Sequence, residues 1–395
     1  MRFGISLLPV TNTISGQITF YGGTVSAAGV YNQGQMTVGG GNNTLIGDLY
    51  NSGVLSNNAG TLQIGSTGTG MVTNSGTVAF AGGTLEAGVI TNTGAVVGYG
   101  TLNAALANSS LVEASGGTLT LGGQATGTGT YRAAAGGTLS FNGGGSISSL
   151  NNTGATIRIA STLTNTATFN NAGTLALAGG IYYTPTVLTN STTTWITGYG
   201  TVSSAGKLVN AGTLGNPFGT PAGSTLVVDS ALDNTGRVVV ESGRKLIVSG
   251  VFTNNGTLNS TFSAQGTFNS AVVNRGAWLQ SGGADSLFNN NVVVTTNGYL
   301  TADNGSILTF KGNLTIQSTN SLAWDTMDAL LGTNTYNIGT GAKFLFSGAS
   351  VTQTQAFTTP GLLLTGGFSG SPSPTSNGVQ DVTSFGAVTG FSNNF

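Results

Sequence analysis

A parallel β-solenoid, an all-β fold in which short strands wind into coils of about 20 residues, is what this sequence predicts, and three observations predict it. The first is a recurring Asn-x-Gly, usually followed by Thr or another small residue and then an aliphatic. The second is the placement of short β-prone runs such as Thr118-Leu-Thr-Leu121, Thr174-Leu-Ala-Leu177, Arg237-Val-Val-Val240 and Lys245-Leu-Ile-Val248 between Gly and Asn, which is how strands bounded by turns read. The third is the near absence of helical periodicity.

The glycines of the motif are Gly34, Gly53, Gly76, Gly94, Gly154, Gly173, Gly212, Gly236, Gly256 and Gly276, each two residues after Asn32, Asn51, Asn74, Asn92, Asn152, Asn171, Asn210, Asn234, Asn254 and Asn274. Most successive glycines lie about 20 residues apart, and the two wide gaps read as three and two units, with Gly116-Gly117-Thr118-Leu119 and Gly136-Gly137-Thr138-Leu139 supplying missing members of the first. This period is too short for the common helical repeats or for propeller blades, and the leucine ladder of leucine-rich repeats is missing. At each corner the expectation is that Gly and Asn accept positive φ, and that stacked asparagines hydrogen-bond from coil to coil at the strand spacing of about 4.8 Å. Thr then faces outward and the aliphatic inward, forming a narrow continuous core. Stacked over the whole chain, such coils would make a rod on the order of 100 Å long.

Composition separates this chain from disorder and from most chemistry. With 66 Gly in 395 residues it is 38% hydrophobic, whereas disordered chains are poor in apolar residues. It has no His and no Cys, which removes triad and His-based acid/base catalysis, Cys/His metal sites and disulfides. Only 10 Lys+Arg and 11 Asp+Glu are present, for a net charge of −1, so no basic surface for nucleic acid is expected. No cofactor or metal is expected either, and no run approaches the roughly 20 apolar residues of a membrane helix. The first ten residues do not read as a complete signal peptide.

Along the chain, residues 1–30 read as opening coils, 31–318 as the repeat array and 319–395 as an irregular C-terminal region, a cap or an assembly segment. Gly98-Tyr-Gly-Thr101 returns as Gly198-Tyr-Gly-Thr201, which suggests a duplication five coils long. Charge is concentrated in the second half. Ser321–Leu331 has partly helical spacing, with a modified coil as the alternative.

Candidate sites are few. Asp229/Asp233 and Asp325/Asp328 are spaced as a glycosidase pair could be, and Glu241, Arg244 and Lys245 form the densest charge cluster, but scattered acidic residues on solvated turns account for all of them. Trp324, Asp325 and Asp328 are contact candidates in the C-terminal region. Tyr182, Tyr183, Trp195, Tyr199, Trp278 and Trp324 could stack on sugar or protein, or fill the core. Thr-x-Thr recurs without constant spacing, which argues against an ordered ice-binding face. Sequons occur at Asn42, Asn108, Asn151, Asn190, Asn255, Asn259, Asn304 and Asn313, as expected of a chain rich in Asn, Ser and Thr.

In coils such as Asn74-Ser-Gly-Thr-Val78, Asn171-Ala-Gly-Thr-Leu175 and Asn255-Gly-Thr-Leu258, the sequence resembles the passenger regions of bacterial autotransporters and filamentous-haemagglutinin-type surface proteins. The resemblance covers about 31–318 and is one of repeat style. It implies a right-handed parallel β-helix displayed outside the cell or at its surface, with roles in adhesion, biofilm or coating. The expected function is that of a non-catalytic surface fibre or adhesin, self-associating end to end into a filament or contacting cell-surface glycans. A carbohydrate-active β-helix enzyme or tailspike-like depolymerase is the alternative, and a glycan-binding adhesin that does not polymerise is a third.

Overall fold

The computed structural model describes residues 8–316, apart from 218, 296–297, 303–305 and 313, together with 343–346 and 351–353. Trp324, Asp325, Asp328, the Ser321–Leu331 segment and most of 319–395 lie outside the described residues. Every regular element that is described is a strand, and every strand pairing is parallel. The chain is a β-solenoid. It divides into two compact units, Met1–Thr186 and Val187–Phe395.

A coil of the first unit has three sides. Thr61–Ile64 is the first side, Met71–Asn74 the second, and Thr77–Phe80, opening the strand Thr77–Asn92, the third. That strand then bends through the next coil, pairing in turn with Val54–Asn57, Thr61–Gln63 and Met71–Asn74. Successive side chains alternate between faces, so in Thr61-Leu-Gln-Ile64 the leucine and isoleucine are buried while threonine and glutamine face out. One inward column on the second side runs Val30, Leu49, Val72, Ile90, Leu106 and Ala125, in register and buried throughout. Each buried aliphatic contributes about 1.5–3 kcal/mol.

A coil of the second unit also has three sides, a first at Thr257–Thr261, a second at Gln265–Phe268 and a third at Val272–Asn274. Its core becomes aromatic along the chain. One column reads Val228, Val248, Phe268, Phe288, Phe310, and another reads Leu214, Val238, Leu258, Trp278, Leu300. The rings of Phe268, Phe288 and Phe310 stack with centroids 5.3 and 4.8 Å apart, and Trp278 stands edge-on to Phe268 at 4.7 Å. Larger residues fill the same cross-section because flat rings stack at close to the coil spacing. The strands Lys343–Phe346 and Val351–Gln353 stack in register on Ile307–Phe310 and Leu314–Ile316, so coil stacking extends beyond residue 318.

Candidate functional site

The side chains that repeat most regularly are the corner asparagines, and they are buried. In the first unit Nδ2 of Asn12, Asn32, Asn51, Asn74 and Asn92 donates to Oδ1 of the asparagine one coil on, ending at Asn108, each bond 2.7 Å long. The second amide hydrogen goes to a backbone carbonyl of the next coil, as from Asn74 to Ala95 at 3.1 Å. These coils vary from 16 to 23 residues, yet the ladder spacing does not change. Extra residues are placed elsewhere, as in the loop Gly65–Gly70 between the first and second sides.

This first ladder occupies the corner between the second and third sides. Beyond Asn108 the same column passes to Gly127 and Ile147, whose side chains offer no amide. The ladder then resumes at a different corner, between the third side and the next first side, where Asn152 donates to Asn171. Within the second unit Asn190, Asn210, Asn234, Asn254 and Asn274 are linked by bonds of 2.6–2.8 Å at the corner between its third side and its next first side. The expectation that the wide gap between Gly94 and Gly154 holds three whole units is corrected here. Thr118 and Thr138 are in register with Thr156 and Thr174, so Gly116-Gly117 and Gly136-Gly137 belong to the second ladder's corner and not the first's. The spacing therefore spans three coils plus one side, in coils shorter than 20. The Gly-Tyr-Gly-Thr pair divides likewise. Gly98–Thr101 closes a third side, whereas Gly198–Thr201 joins a first side to a second, so the two are not register equivalents of a duplication.

The reason for glycine at these corners also differs from expectation. Of the ten motif glycines only Gly154 has positive φ, 62°. At Gly53, Gly76, Gly94, Gly236, Gly256 and Gly276 a Cβ would fall well inside 3.0 Å of the carbonyl oxygen of the corner glycine one coil before. That oxygen accepts the next strand's first amide, as Gly53 O does from Thr77 N at 2.9 Å. Close coil-to-coil approach, not handedness of the backbone, excludes a side chain. Where Ser110 replaces the glycine, the corresponding bond, Leu111 N to Gly94 O, lengthens to 3.3 Å, and the first ladder stops. Asn12, Asn108 and Asn190 were missed as rungs because no x-Gly follows them; Asn108 and Asn190 read only as sequons.

Among the described residues the charged side chains are dispersed over the coils. Ion pairs join neighbouring coils where Arg132 meets Glu113 and where Lys207 meets Asp233 at 2.5 Å. The Asp229/Asp233 pair thus has one carboxylate engaged by Lys207. In the cluster Glu241, Arg244 and Lys245 the guanidinium is buried and turned to Thr220, donating from Nε to its hydroxyl at 2.6 Å and from Nη2 to its carbonyl at 2.7 Å. No group of three or more carboxylates able to hold a metal ion gathers among the described residues. No described helix is long and apolar enough to cross a membrane.

The aromatic candidates separate by face. Trp278 and Tyr182 are core residues, and burial pushes the Tyr182 hydroxyl far above its usual range. Trp195 is exposed, and Tyr183 and Tyr199 are half-buried. Sequence reading passed over Tyr31 and Tyr50, whose rings stack at 4.7 Å on an outer face, and Phe262, which is 62% exposed.

No protein-family model, curated protein or solved structure matches the chain. What the fold and the ladders define is a class: a β-solenoid repeat protein specified by corner asparagines and glycines. The likeness to autotransporter and haemagglutinin-type passengers remains one of repeat style.

Proposed function

We propose that the chain is a non-catalytic structural β-solenoid of the cell surface or extracellular space, a fibre or adhesin whose copies add end to end. The observation that supports this reading is the stack of parallel, in-register coils, in which strands pair with the coil before and the coil after. Among the described residues Val10–Asn12 and Gln17–Phe20 pair along one edge only, with Tyr31's strand and with Gln35–Val38. Ile18 and Phe20 point along the core columns of Met36 and Val38, which are fully buried, but are themselves only partly covered. An open strand edge with apolar residues in register is a template for another strand. When the partner surface lies elsewhere on an identical copy, the contact does not close, and a filament results. The scarcity of charge favours such growth, because like charges on stacked strands repel.

Negative-stain electron microscopy with sedimentation velocity across a concentration series tests the proposal. Filaments or end-to-end oligomers that lengthen with concentration are expected. Isolated particles at every concentration would refute polymerisation.

A further inference from the structure

At the corner between the first and second sides of the second unit, neighbouring coils turn through glycines with positive φ: Gly223 (76°), Gly243 (68°), Gly282 (66°) and Gly283 (74°). The coil between Gly243 and Gly282 makes the two-residue turn of Gly282-Gly283 with Phe262 at 48° and Ser263 at 59°. The backbone is nonetheless tied into the stack. Gly243 N donates to Phe262 O at 3.0 Å, Phe262 N to Ser281 O at 3.1 Å, and Ser263 N to Gly282 O at 3.0 Å. A left-handed residue other than glycine costs roughly 1–2 kcal/mol. Nothing in the core offsets this, since Phe262 is 62% exposed and its ring rests against Gly282 at the surface. Stability alone would place glycine at both positions, as the following coil does with Gly282 and Gly283, whereas the coil before has only Gly243 with positive φ and Ser242 beside it. Local strain held by surrounding structure and spent on presenting a side chain is a signature of a binding site.

The polar groups nearby describe the ligand. The second-side strands following these turns open with Lys245, Gln265 and Asp285, in register on three successive coils and so about 4.8 Å apart along the stack. One cation, one amide and one carboxylate supply donors and acceptors with no net charge, which suits neither an anion nor a cation. A flat apolar ring on the turn that leads into the middle strand of such a row, three residues before Gln265, suits a ligand with an apolar face and a hydroxyl rim. We propose that Phe262, Ser263, Lys245, Gln265 and Asp285 form a subsite for a neutral sugar ring of a glycan, the ring stacking on Phe262. This deepens, and rests on, the reading of the chain as a surface-contact protein.

The test compares the full chain with Phe262→Gly and Gln265→Ala, using isothermal titration with cellohexaose, maltohexaose and chitohexaose, and thermal melts of each protein. The wild type is expected to bind at least one of the three, Phe262→Gly to bind it at least tenfold more weakly while melting at a higher temperature, and Gln265→Ala to weaken binding with little change in melting. A lower melting temperature for Phe262→Gly would show that the ring is a packing element and overturn the proposal. So would unchanged affinity in that variant, or no binding of any of the three by the wild type. Microscopy of the same samples keeps the two readings apart: filaments without sugar binding sink the subsite alone, and sugar binding without filaments sinks polymerisation alone.

Discussion

Asn74 Nδ2 donates to Asn92 Oδ1 at 2.7 Å across 18 residues of sequence, and its remaining hydrogen goes to Ala95 O at 3.1 Å. Asn51 Nδ2 in turn donates to Asn74 Oδ1 at 2.7 Å. One fully buried side chain thereby connects three coils, and truncating it orphans groups on both neighbours.

Asn74→Ala should therefore destabilise the first unit by about 2–4 kcal/mol, since each buried polar group left unsatisfied costs about 1–3 kcal/mol. The double variant Asn74→Ala/Asn92→Ala should cost less than the sum of the singles, because the bond between them is lost only once. Urea denaturation of the three variants checks both statements. Additive losses would show that the rungs act independently.

Two motif glycines should respond differently to the same substitution. Gly76→Ala drives a methyl group into Gly53 O and should cost about 1–3 kcal/mol or more, as overpacking does. Gly154 has nothing within 4 Å of a Cβ and a φ of 62°, so Gly154→Ala should cost about 1–2 kcal/mol and Gly154→Asn less. Rescue by asparagine at 154 but not at 76 is the expected result in parallel melts.

Phe268 lies between Phe252, Trp278 and Phe288, with centroids 5.6, 4.7 and 5.3 Å away. Phe268→Ala should cost about 3–5 kcal/mol, the range for a buried aromatic, and Phe268→Leu considerably less. Near-ultraviolet circular dichroism should also report the changed setting of Trp278.

Burial raises the pKa of Asp285 above the ordinary carboxylate value. Its folded state thus prefers the protonated form, so its contribution to stability is fully present below the unfolded value of about 3.9 and is lost as pH rises through the folded one. Asp285→Asn should flatten the stability curve over that interval. A melting profile against pH unchanged by the substitution would contradict the assignment.

Phe20→Asp places a charge over the column of Val38 at a position that is only partly covered, and should shorten or abolish filaments built through that edge without unfolding the chain. Sedimentation and circular dichroism read the two effects separately.

The sequence alone determined the class of fold, since a period near 20, strand-length alternation and turn residues at the ends of each run admit few other arrangements. It also marked most rungs of both ladders, through Asn-x-Gly. Tertiary structure alone decided which corner each rung occupies. Asn92-Thr-Gly94 and Asn152-Thr-Gly154 read alike, and Gly98-Tyr-Gly-Thr101 and Gly198-Tyr-Gly-Thr201 are identical, yet the members of each pair sit at different corners. A motif of three or four residues encodes a bend. Position around the coil depends on how many residues each side has consumed, and that is set by pairing with the coil before. For the same reason the glycines could not be explained from sequence: their necessity lies in the carbonyl of a residue about 20 positions away. Adjacent tyrosines at 182 and 183 part company likewise, one in the core and one partly outside, because strand alternation acts only once register is established.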